Sequence, residues 1–330
     1  MCGIIAVLRR RSDREPTPVA ELVAALESVA PLLASGGGDR VAGLQAAADV
    51  LESVDVALRG VPGLLSLRSD RSATARFAGL VGDLDASVSL VESELDDPHT
   101  APPAHLAEAV NAELLRCKDA LWAISRDRLR ALVEVDGLVG PTFDADGGGA
   151  AGLAVALSLH QALSAIDRLE VRGRDSAGIE VQLAGHGLSA ADPGVRQELE
   201  RRSGLTFTDS SVRLVGDAAV IVHKAAAEIG ELGDNTAALR AAIRSDSLLQ
   251  RALRSASVDG SVLGHTRWAS IGIISEPNAH PQCSDELGRI PGPLVTAVLN
   301  GDVDNHADLV AADDLAIPAE ITTDAKVIPS

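Results

Sequence analysis

The sequence contains no tyrosine, and aromatic residues make up only 2% of its 330 residues. Proteins that stack nucleic-acid bases need aromatic faces, and proteins that bind phosphate backbones need positive charge. The formal net charge of this chain is −18. Both features argue against a nucleic-acid partner.

Cysteines are few, and long apolar runs are missing. Cys2, Cys117 and Cys283 lie far apart and form no Cys-x-x-Cys pair. A sparse, odd number of cysteines is typical of a reducing compartment and not of a disulfide framework. No apolar run approaches the roughly 18 residues of a membrane span, and Arg9-Arg10-Arg11 follows the first apolar stretch, the reverse of the order in a signal peptide. We therefore expect a cytoplasmic protein without a membrane partner.

The hydrophobic fraction of 46% is sufficient for a full core, and the length allows two domains or one domain with a large insertion. Residues 3–8 are predicted as a short buried strand. Residues 11–150 carry apolar residues at helical spacing, which predicts an inserted helical bundle. Residues 1–10 and 151–330 are predicted as one α+β domain, because strand-like and helix-like runs alternate after residue 150.

Glycine and proline punctuate the predicted helices of the insertion. These helices cover residues 17–34 before Gly36-Gly37-Gly38, 41–58 before Gly60-Val61-Pro62-Gly63, 77–95 before Asp97-Pro98, and 106–132 after Pro102-Pro103. Later helices are predicted over 152–168 and near 236–254, and strands over 178–183, 219–223, 262–266 and 294–299.

Cys2 directly follows the initiator methionine. Removal of Met1 would place a thiol and a free α-amine on one residue, and an α-amine has an unperturbed pKa of about 7.7–8.0. A nucleophile beside its own base is the N-terminal form of an activated nucleophile. Because cysteine is also among the most buried residue types, packing in the first strand is the alternative interpretation.

Four loop-like segments in the second half are dense in polar, charged and glycine residues. Each is compatible with an ordinary helix end or turn when taken alone. They are Arg172–Gly178, Gly264–Ser270, Asn278–Pro281 and Asn300-Gly301.

In this order behind Met1-Cys2-Gly3-Ile4, the segments resemble the glutaminase domain of class II glutamine amidotransferases, the N-terminal-nucleophile type. The wording Arg267-Trp268-Ala269 is most similar to the glutamine–fructose-6-phosphate aminotransferase (glucosamine-6-phosphate synthase) branch. The resemblance covers residues 1–9 and roughly 155–328. The strings that carry it are Leu169–Ile179, His265–Ala269, Asn278–Pro281, Leu299–Gly301 with Asn305-His306, and Thr323–Ile328.

The resemblance implies a fold and a nucleophilic centre. The fold would be an N-terminal-nucleophile (Ntn) hydrolase α/β/β/α sandwich, with the helical bundle inserted and the C-terminal part incomplete. Cys2 would attack the side-chain amide of glutamine, with its α-amine as base. Asn300, through its side chain, and Gly301, through its backbone N–H, match the oxyanion hole.

The resemblance also implies substrate-binding roles for seven residues. Arg267 would hold the substrate carboxylate, since a planar guanidinium suits bidentate pairing, and Asp324 would hold the α-ammonium. Trp268 matches a loop that closes over glutamine, and Ser270 keeps the hydroxyl of a family threonine. The remaining matches are Arg172 and Gly173 beside the nucleophile, and His280 as a loop-supporting histidine.

The implied reaction is hydrolysis of L-glutamine to glutamate and ammonia through a Cys2 thioester, with no cofactor and no metal. The ammonia would aminate a sugar phosphate, fructose 6-phosphate, in C-terminal isomerase domains that this sequence does not contain. The oligomeric state stays open.

Two alternatives remain. A non-catalytic glutamine-binding or regulatory module, or a decayed fragment, is favoured by Ile271 and Lys326, which replace a family histidine and glutamate. A hydrolase of another amide is disfavoured by Arg267 and Asp324, which together suit an α-amino acid.

Overall fold

The computed structural model of the chain describes residues 2–35, 40–96, 102, 104–203, 206–226, 231–285 and 293–330. The chain divides into two compact units. The sheet unit is formed by Met1–Arg10 with Val135–Ser330, and the helical unit by Arg11–Glu134. The sheet unit resumes at Val135, whereas the sequence predicted that it would resume at residue 151. The assignment of residues 1–10 and 151–330 to a glutaminase domain stays a prediction.

The helical unit is built from amphipathic helices that bury one face each. Helix α3 packs on α6, α1 packs on α5, and α2 packs on α3. Leu26, Leu51 and Phe77 are among the fully buried side chains of this core. The elements are α1 (Val19–Glu27), α2 (Val29–Leu33), α3 (Arg40–Ala57), α4 (Gly60–Ser69), α5 (Arg71–Asp96), α6 (Ala104–Trp122), a π-helical segment (Ala123–Leu129) and α7 (Arg130–Val139), which continues into the sheet unit.

One sequence prediction for this unit was wrong in detail, and one helix was not predicted. The helix predicted over 17–34 is broken at Ser28, because Pro31 has no N–H to donate to the carbonyl of Glu27. The helix predicted over 41–58 does end before Gly60, at Ala57, but the stretch Gly60–Gly63 also begins α4, which was not predicted. Proline is tolerated in a first helical turn, where its missing N–H has no intrahelical partner in any case.

Some predictions fall on residues outside the described ones. These are the removal of Met1, the helix end at Gly36-Gly37-Gly38, the helix end at Asp97-Pro98, and Pro103 of the proline pair.

The sheet unit contains a five-stranded antiparallel sheet in the order β1-β5-β2-β4-β3. Its first strand pairs with β5, with Gly3 opposite Thr266. Strand β2 pairs with the other edge of β5, with Ser176 opposite Arg267. The strands are β1 (Gly3–Val7), β2 (Ser176–Ala184), β3 (Val212–Val215), β4 (Ala218–Ala225) and β5 (Asp259–Arg267). The predicted mixture of α and β structure is confirmed.

Helices cover one face of this sheet. Helix α8 (Ala150–Leu169) packs on β5 and β1, and α10 (Asp234–Ser245) packs on β4 and β2. Successive strand residues point to opposite faces, so Ile179 and Val181 of β2 share one face and are buried. Helices α9 (Pro193–Ser203) and α11 (Ser247–Leu253) complete the helices around the sheet.

A short ribbon lies on the other face. It consists of β6 (Gln282–Cys283) and β7 (Thr296–Ala297), paired antiparallel. The Thr296 hydroxyl donates to the buried Glu180 carboxylate of β2 at 3.0 Å. Cys283 packs with Phe207, Val220 and Val222 in a buried apolar cluster. This ribbon places residues 299–303 near the ends of β1 and β5.

The helix predicted over 152–168, the strand predicted over 3–8 and three of the four strands predicted after residue 150 are confirmed. The fourth strand, 294–299, is reduced to the two residues of β7. The stretch predicted as helical near 236–254 is two helices, because Asp246 caps α11 by accepting from the Leu249 N–H at 2.9 Å. Strands β3 and β6, helix α9 and α12 (His306–Ala312) were not predicted.

The stretch Ala150–Arg172 is long and apolar enough to cross a membrane by length and composition alone. However, 61% of its most hydrophobic window is buried within the chain's own structure. A core helix of this kind passes the same test, so the stretch is weak evidence for a membrane span.

Candidate active site

Cys2 lies beside two segments that are distant in sequence. Its backbone nitrogen is 3.1 Å from the side-chain oxygen of Asn300, 298 positions away. Its Sγ accepts a hydrogen bond from the Trp268 N–H at 3.4 Å and lies 3.8 Å from the Trp268 carbonyl oxygen. The structure therefore brings together three of the predicted site residues, Cys2, Trp268 and Asn300.

Pairing of β1 with β5 causes this arrangement. The Gly3 N–H donates to the Thr266 hydroxyl at 3.1 Å, and that hydroxyl lies 3.5 Å from the Leu169 carbonyl oxygen at the end of α8. Because Gly3 is opposite Thr266, Cys2 lies next to the chain that leaves β5 at Arg267 and Trp268. The register of a single strand pair thus fixes the position of the thiol.

Two buried histidines hold the residue that precedes Asn300. His265 Nε2 is 2.9 Å from the Leu299 carbonyl oxygen, and the Leu299 N–H donates to His280 Nδ1 at 3.4 Å. The two rings also approach each other, with His280 Nδ1 3.2 Å from His265 Nε2. The C=O and the N–H of Leu299 are therefore each held by an imidazole, while the role of His280 in the family stays a prediction.

These contacts define the tautomers and charge of the pair. A carbonyl can only accept, so His265 carries its proton on Nε2, and His280 Nδ1 must accept from Leu299. Burial lowers the pKa of His265 to about 4. Burial, together with the neighbouring His265, lowers the pKa of His280 well below its ordinary value. Both rings are therefore neutral near pH 7.

Arg267 is buried, with 3% of its surface exposed. Its Nη1 donates to the Ile273 carbonyl at 3.1 Å, and its Nη2 donates to the Ile271 carbonyl. Burial lowers the pKa of Arg267, while the nearby Cys2, Asp324 and Asp175 act in the opposite direction. Arg267 is the residue predicted to hold a substrate carboxylate. In this structure its guanidinium holds the loop 268–273.

The loop after Arg267 is tied to the Asn300 turn. The Ser270 hydroxyl donates to the Asp302 carboxylate. Trp268 extends from the same loop and has 56% of its surface exposed. The predicted closing loop and the predicted oxyanion turn, which includes Gly301, are thus joined through the side chain of Ser270.

Gly173 lies directly behind the Arg267–Trp268 peptide. A Cβ at this position would come within 2.9 Å of the Arg267 carbonyl carbon and 3.0 Å of the Trp268 nitrogen. Such distances are too short for a side chain, so glycine is required by close packing. The neighbouring Arg172 is exposed, and the structure assigns its side chain no contact with Cys2.

Asp324 is buried near the same turn. Its Oδ2 accepts from the Val303 N–H at 2.5 Å, and the Thr323 hydroxyl is 3.4 Å from its other oxygen. Lys326, two residues later, is also buried, and its ammonium donates to the Cys283 carbonyl. Lys326 therefore contacts the β6–β7 ribbon through Cys283.

Within the described ranges, no group of three or more histidine, cysteine, aspartate or glutamate side chains is arranged to hold a metal ion.

Three residues near Cys2 were given no role from the sequence. His265, Asp175 and Asp302 contact Leu299, Ala269 and Ser270 respectively. The first two lie inside strings that carried the family resemblance, which was an available signal. Asp302 had none, because its contact depends on how two loops fold together.

Curated relatives match part of this chain. Two glutamine–fructose-6-phosphate aminotransferases (isomerizing), from Neisseria meningitidis serogroups A and B, are each 35% identical over 83 residues, 24% of this chain and 12% of the relative. The enzyme of the same name from Mesorhizobium japonicum is 42% identical over 62 residues, 18% of this chain and 9% of the relative. The matched segments thus span about a tenth of the length of these relatives.

No family model matches the chain, and no solved structure matches it. The partial matches to the curated relatives alone support a relationship to glutamine-utilising aminotransferases, and only over a short stretch.

Proposed function

We propose that this chain hydrolyses L-glutamine to glutamate and ammonia through a thioester on Cys2. The observation that carries the proposal is the contact of Cys2 with both Asn300 and Trp268. A thiol, a nitrogen that becomes an α-amine on loss of Met1, and an amide side chain meet at one point. These are the groups that acyl transfer from an amide requires.

In the first step Sγ attacks the side-chain amide carbon of glutamine, and the α-amine of Cys2 takes the thiol proton. The developing oxyanion accepts hydrogen bonds from Asn300 Nδ2 and from the Gly301 N–H. Since Asn300 Oδ1 already faces the Cys2 nitrogen, its NH₂ group is left to donate. The amine returns the proton to the departing ammonia, and water then hydrolyses the thioester to glutamate.

The head group of glutamine would be held by Arg267 and Asp324. Arg267 is now occupied by the carbonyls of Ile271 and Ile273. Binding would exchange these carbonyls for the substrate carboxylate, which forms stronger, charge-assisted hydrogen bonds. The loop that carries Trp268 and Ser270 would rearrange in the same step and cover the substrate. Arg172, Gly173 and His280 would keep the surrounding backbone in place.

We further propose the Ntn-type α/β/β/α sandwich for the sheet unit, with residues 1–10 and 151–330 as the glutaminase domain. In its support, helices lie on one face of an antiparallel sheet and the β6–β7 ribbon lies on the other. The names of the partial relatives suggest that ammonia is delivered to fructose 6-phosphate by isomerase domains. A reducing, cytoplasmic setting would keep Cys2 as a thiol.

The test is covalent labelling with a diazo-ketone analogue of glutamine, followed by mass spectrometry of the N-terminal peptide. The expected result is one adduct on Cys2 in protein that has lost Met1, together with release of ammonia from glutamine. Cys2→Ala should abolish both. Cys117→Ala is the matched control, because Cys117 is buried in the helical unit. An unlabelled N-terminal peptide at saturating reagent would refute the proposed hydrolysis of glutamine through Cys2.

A glutamine-binding module without activity is the second candidate. The observation in its favour is that Arg267 is buried and hydrogen-bonded to its own loop. Two results together would establish it. Calorimetry would show glutamine binding that is lost in Arg267→Lys, and no ammonia would be released whether Met1 is retained or removed. Turnover of another primary amide, with none of glutamine, would instead favour the other hydrolase.

A further inference from the structure

His265 holds the peptide group through which the chain enters the Asn300 turn. Its Nε2 lies 2.9 Å from the Leu299 carbonyl oxygen. Because a carbonyl only accepts, Nε2 carries the proton and donates it. This carbonyl belongs to the peptide bond between Leu299 and Asn300, which is planar. The contact therefore also orients the backbone nitrogen of Asn300.

The second histidine holds a different peptide group. The Leu299 N–H, which donates to His280 Nδ1 at 3.4 Å, belongs to the peptide bond between Val298 and Leu299. His280 thus acts one peptide group further from Asn300, and through the longer of the two contacts. The hydrogen bond from His265 is the one that acts on the peptide group of Asn300 itself.

Strand β5 connects this histidine with the backbone at Cys2. His265 and Thr266 are neighbours in β5, so their side chains leave opposite faces of the sheet. The Thr266 hydroxyl accepts from the Gly3 N–H at 3.1 Å, next to Cys2. One strand thus fixes the backbone beside Cys2 through one residue and the backbone beside Asn300 through the next.

The His265 ring is itself confined by its surroundings. It is fully buried, and it lies opposite Gly178 where β5 pairs with β2. A Cβ at Gly178 would lie 1.9 Å from the His280 carbonyl oxygen, so glycine allows the His280 segment to lie against the sheet. The two imidazole rings are consequently packed with their centroids 4.2 Å apart. A ring locked by packing can hold a site in a fixed geometry.

We propose that His265 is a positioning residue that sets the oxyanion hole, because its hold on the Leu299 carbonyl keeps Asn300 and Gly301 in place beside Cys2. The inference rests on the proposed function, since the oxyanion hole is part of that reaction. Oxyanion donors must be aimed at the point where the charge develops. A displacement of about 1 Å can cost on the order of 10²-fold in rate.

The experiment compares His265→Gln with His265→Leu. The glutamine amide can replace the Nε2–H and donate to the Leu299 carbonyl, whereas leucine fills space without a donor. Two reactions of Cys2 are followed by mass spectrometry of the N-terminal peptide that has lost Met1. Acetylation by p-nitrophenyl acetate passes through an oxyanion, and alkylation by iodoacetamide does not. Since a general disturbance of Cys2 changes both rates, the readout is their ratio.

We expect acetylation relative to alkylation to be on the order of tenfold slower in His265→Leu than in the unmodified chain, and His265→Gln to restore it. In glutamine hydrolysis the same loss should appear in kcat and not in KM, because the oxyanion forms only after the substrate is bound. Equal ratios in the two variants, whether high or low, would overturn the proposal.

Folding is checked in the same samples. Cys117 and Cys283 are fully buried and remain unlabelled in the folded chain. If His265→Leu exposes Cys283, His265→Asn takes its place, because its amide is one carbon shorter than that of glutamine and does not reach the Leu299 carbonyl. The same loss of acetylation relative to alkylation is expected for it.

The outcome is separable from glutamine hydrolysis. Neither reagent requires recognition of glutamine, so a chain that releases no ammonia can still show the difference between the variants. That result would reject the proposed function and keep the role of His265. Release of ammonia with equal ratios in the two variants would do the reverse.

Discussion

The side-chain oxygen of Asn300 and the backbone nitrogen of Cys2 lie 3.1 Å apart across 298 positions of sequence. In the proposed reaction the amide would have two separable roles: Oδ1 holds the Cys2 nitrogen, and Nδ2 would donate to the oxyanion. This separation allows the oxyanion hole to be tested without removing the contact with Cys2.

Asn300→Asp should lower kcat for glutamine hydrolysis by about 10²–10³-fold, the usual effect of losing one oxyanion donor. Aspartate keeps an oxygen that accepts from the Cys2 nitrogen but loses the NH₂ donor. Steady-state ammonia release is the measurement. The control is Asn305→Ala, because Asn305 is exposed and its side chain does not cap α12. Equal losses in both variants, or none in Asn300→Asp, would contradict the assignment.

The main elements and the site segments were predictable because each depends on local sequence. Apolar residues at helical or alternating spacing identified α8 and the strands β2, β4 and β5. The grouping of Cys2 with Asn300 rested on resemblance, and the structure places the two residues in contact.

Other features were not predictable because they depend on contacts between distant segments. Gly60-Val61-Pro62-Gly63 has the composition of a helix end, yet it also begins α4, which packs on α5 and α1. The contact of Asp175 with the Ala269 N–H follows from the register of β2 and β5, which a single sequence does not display. The direction of the Lys326 side chain is likewise not visible in the sequence, and in the structure it donates to the Cys283 carbonyl.

The two tryptophans give each unit its own fluorescent probe. Trp122 belongs to the helical unit and Trp268 to the sheet unit. Trp122→Phe therefore leaves fluorescence that reports only the unfolding of the sheet unit. The three remaining predictions use this parent.

The His265–His280 pair should make the sheet unit less stable in acid. Unfolded histidines titrate near pH 6.5, whereas burial lowers the pKa of His265 to about 4 in the fold. Between these values the unfolded state binds more protons, so the free energy of unfolding falls as pH falls, by up to about 1.4 kcal/mol per pH unit for each histidine.

His265→Gln with His280→Asn should flatten this dependence between pH 4.5 and 6.5 in urea unfolding followed by Trp268 fluorescence. Glutamine retains a donor for the Leu299 carbonyl, and asparagine retains an acceptor for the Leu299 N–H. A variant whose curve runs parallel to that of the parent would show that the pair does not cause the acid sensitivity.

His223 should have the opposite dependence. Burial opposes its charged form, but the hydrogen bond with Asp209 at 3.0 Å and the Asp246 carboxylate, 3.1 Å from Nε2, prevail, so its pKa is raised. Asp246 is also held by Arg202, at 2.6 Å and 2.8 Å. The protonated ring therefore stabilises the fold fully below pH 6.5, and this stabilisation is lost as pH rises through the folded pKa.

His223→Gln should remove the decrease in unfolding free energy that the parent shows above pH 6.5. Asp209→Asn should reduce the decrease only in part, because Asp246 still faces the ring. The measurement is urea unfolding at several pH values with the Trp268 probe. If His223→Gln keeps the full decrease, another group titrates in this range.

Gly178→Ala should disturb both the fold and the site. A Cβ at Gly178 would lie 1.9 Å from the His280 carbonyl oxygen, which is backbone and cannot turn aside. Relief of this clash must shift the segment that holds Leu299, so Asn300 would move relative to Cys2. Overpacking of this kind costs about 1–3 kcal/mol, measured as a lower urea midpoint of the Trp268 signal, with slower alkylation of Cys2 by the glutamine analogue.

The matched control is Gly137→Ala in α7, where the added Cβ would meet only the Arg244 side chain, at 3.8 Å. Alanine is favoured over glycine within a helix by roughly 0.5–1 kcal/mol, so this variant should be at least as stable as the parent and should label normally. A Gly178→Ala protein that unfolds and labels like Gly137→Ala would mean that the His280 segment moves without affecting Asn300. The contacts of His265 and His280 with Leu299 would then have no part in positioning Asn300 and Gly301.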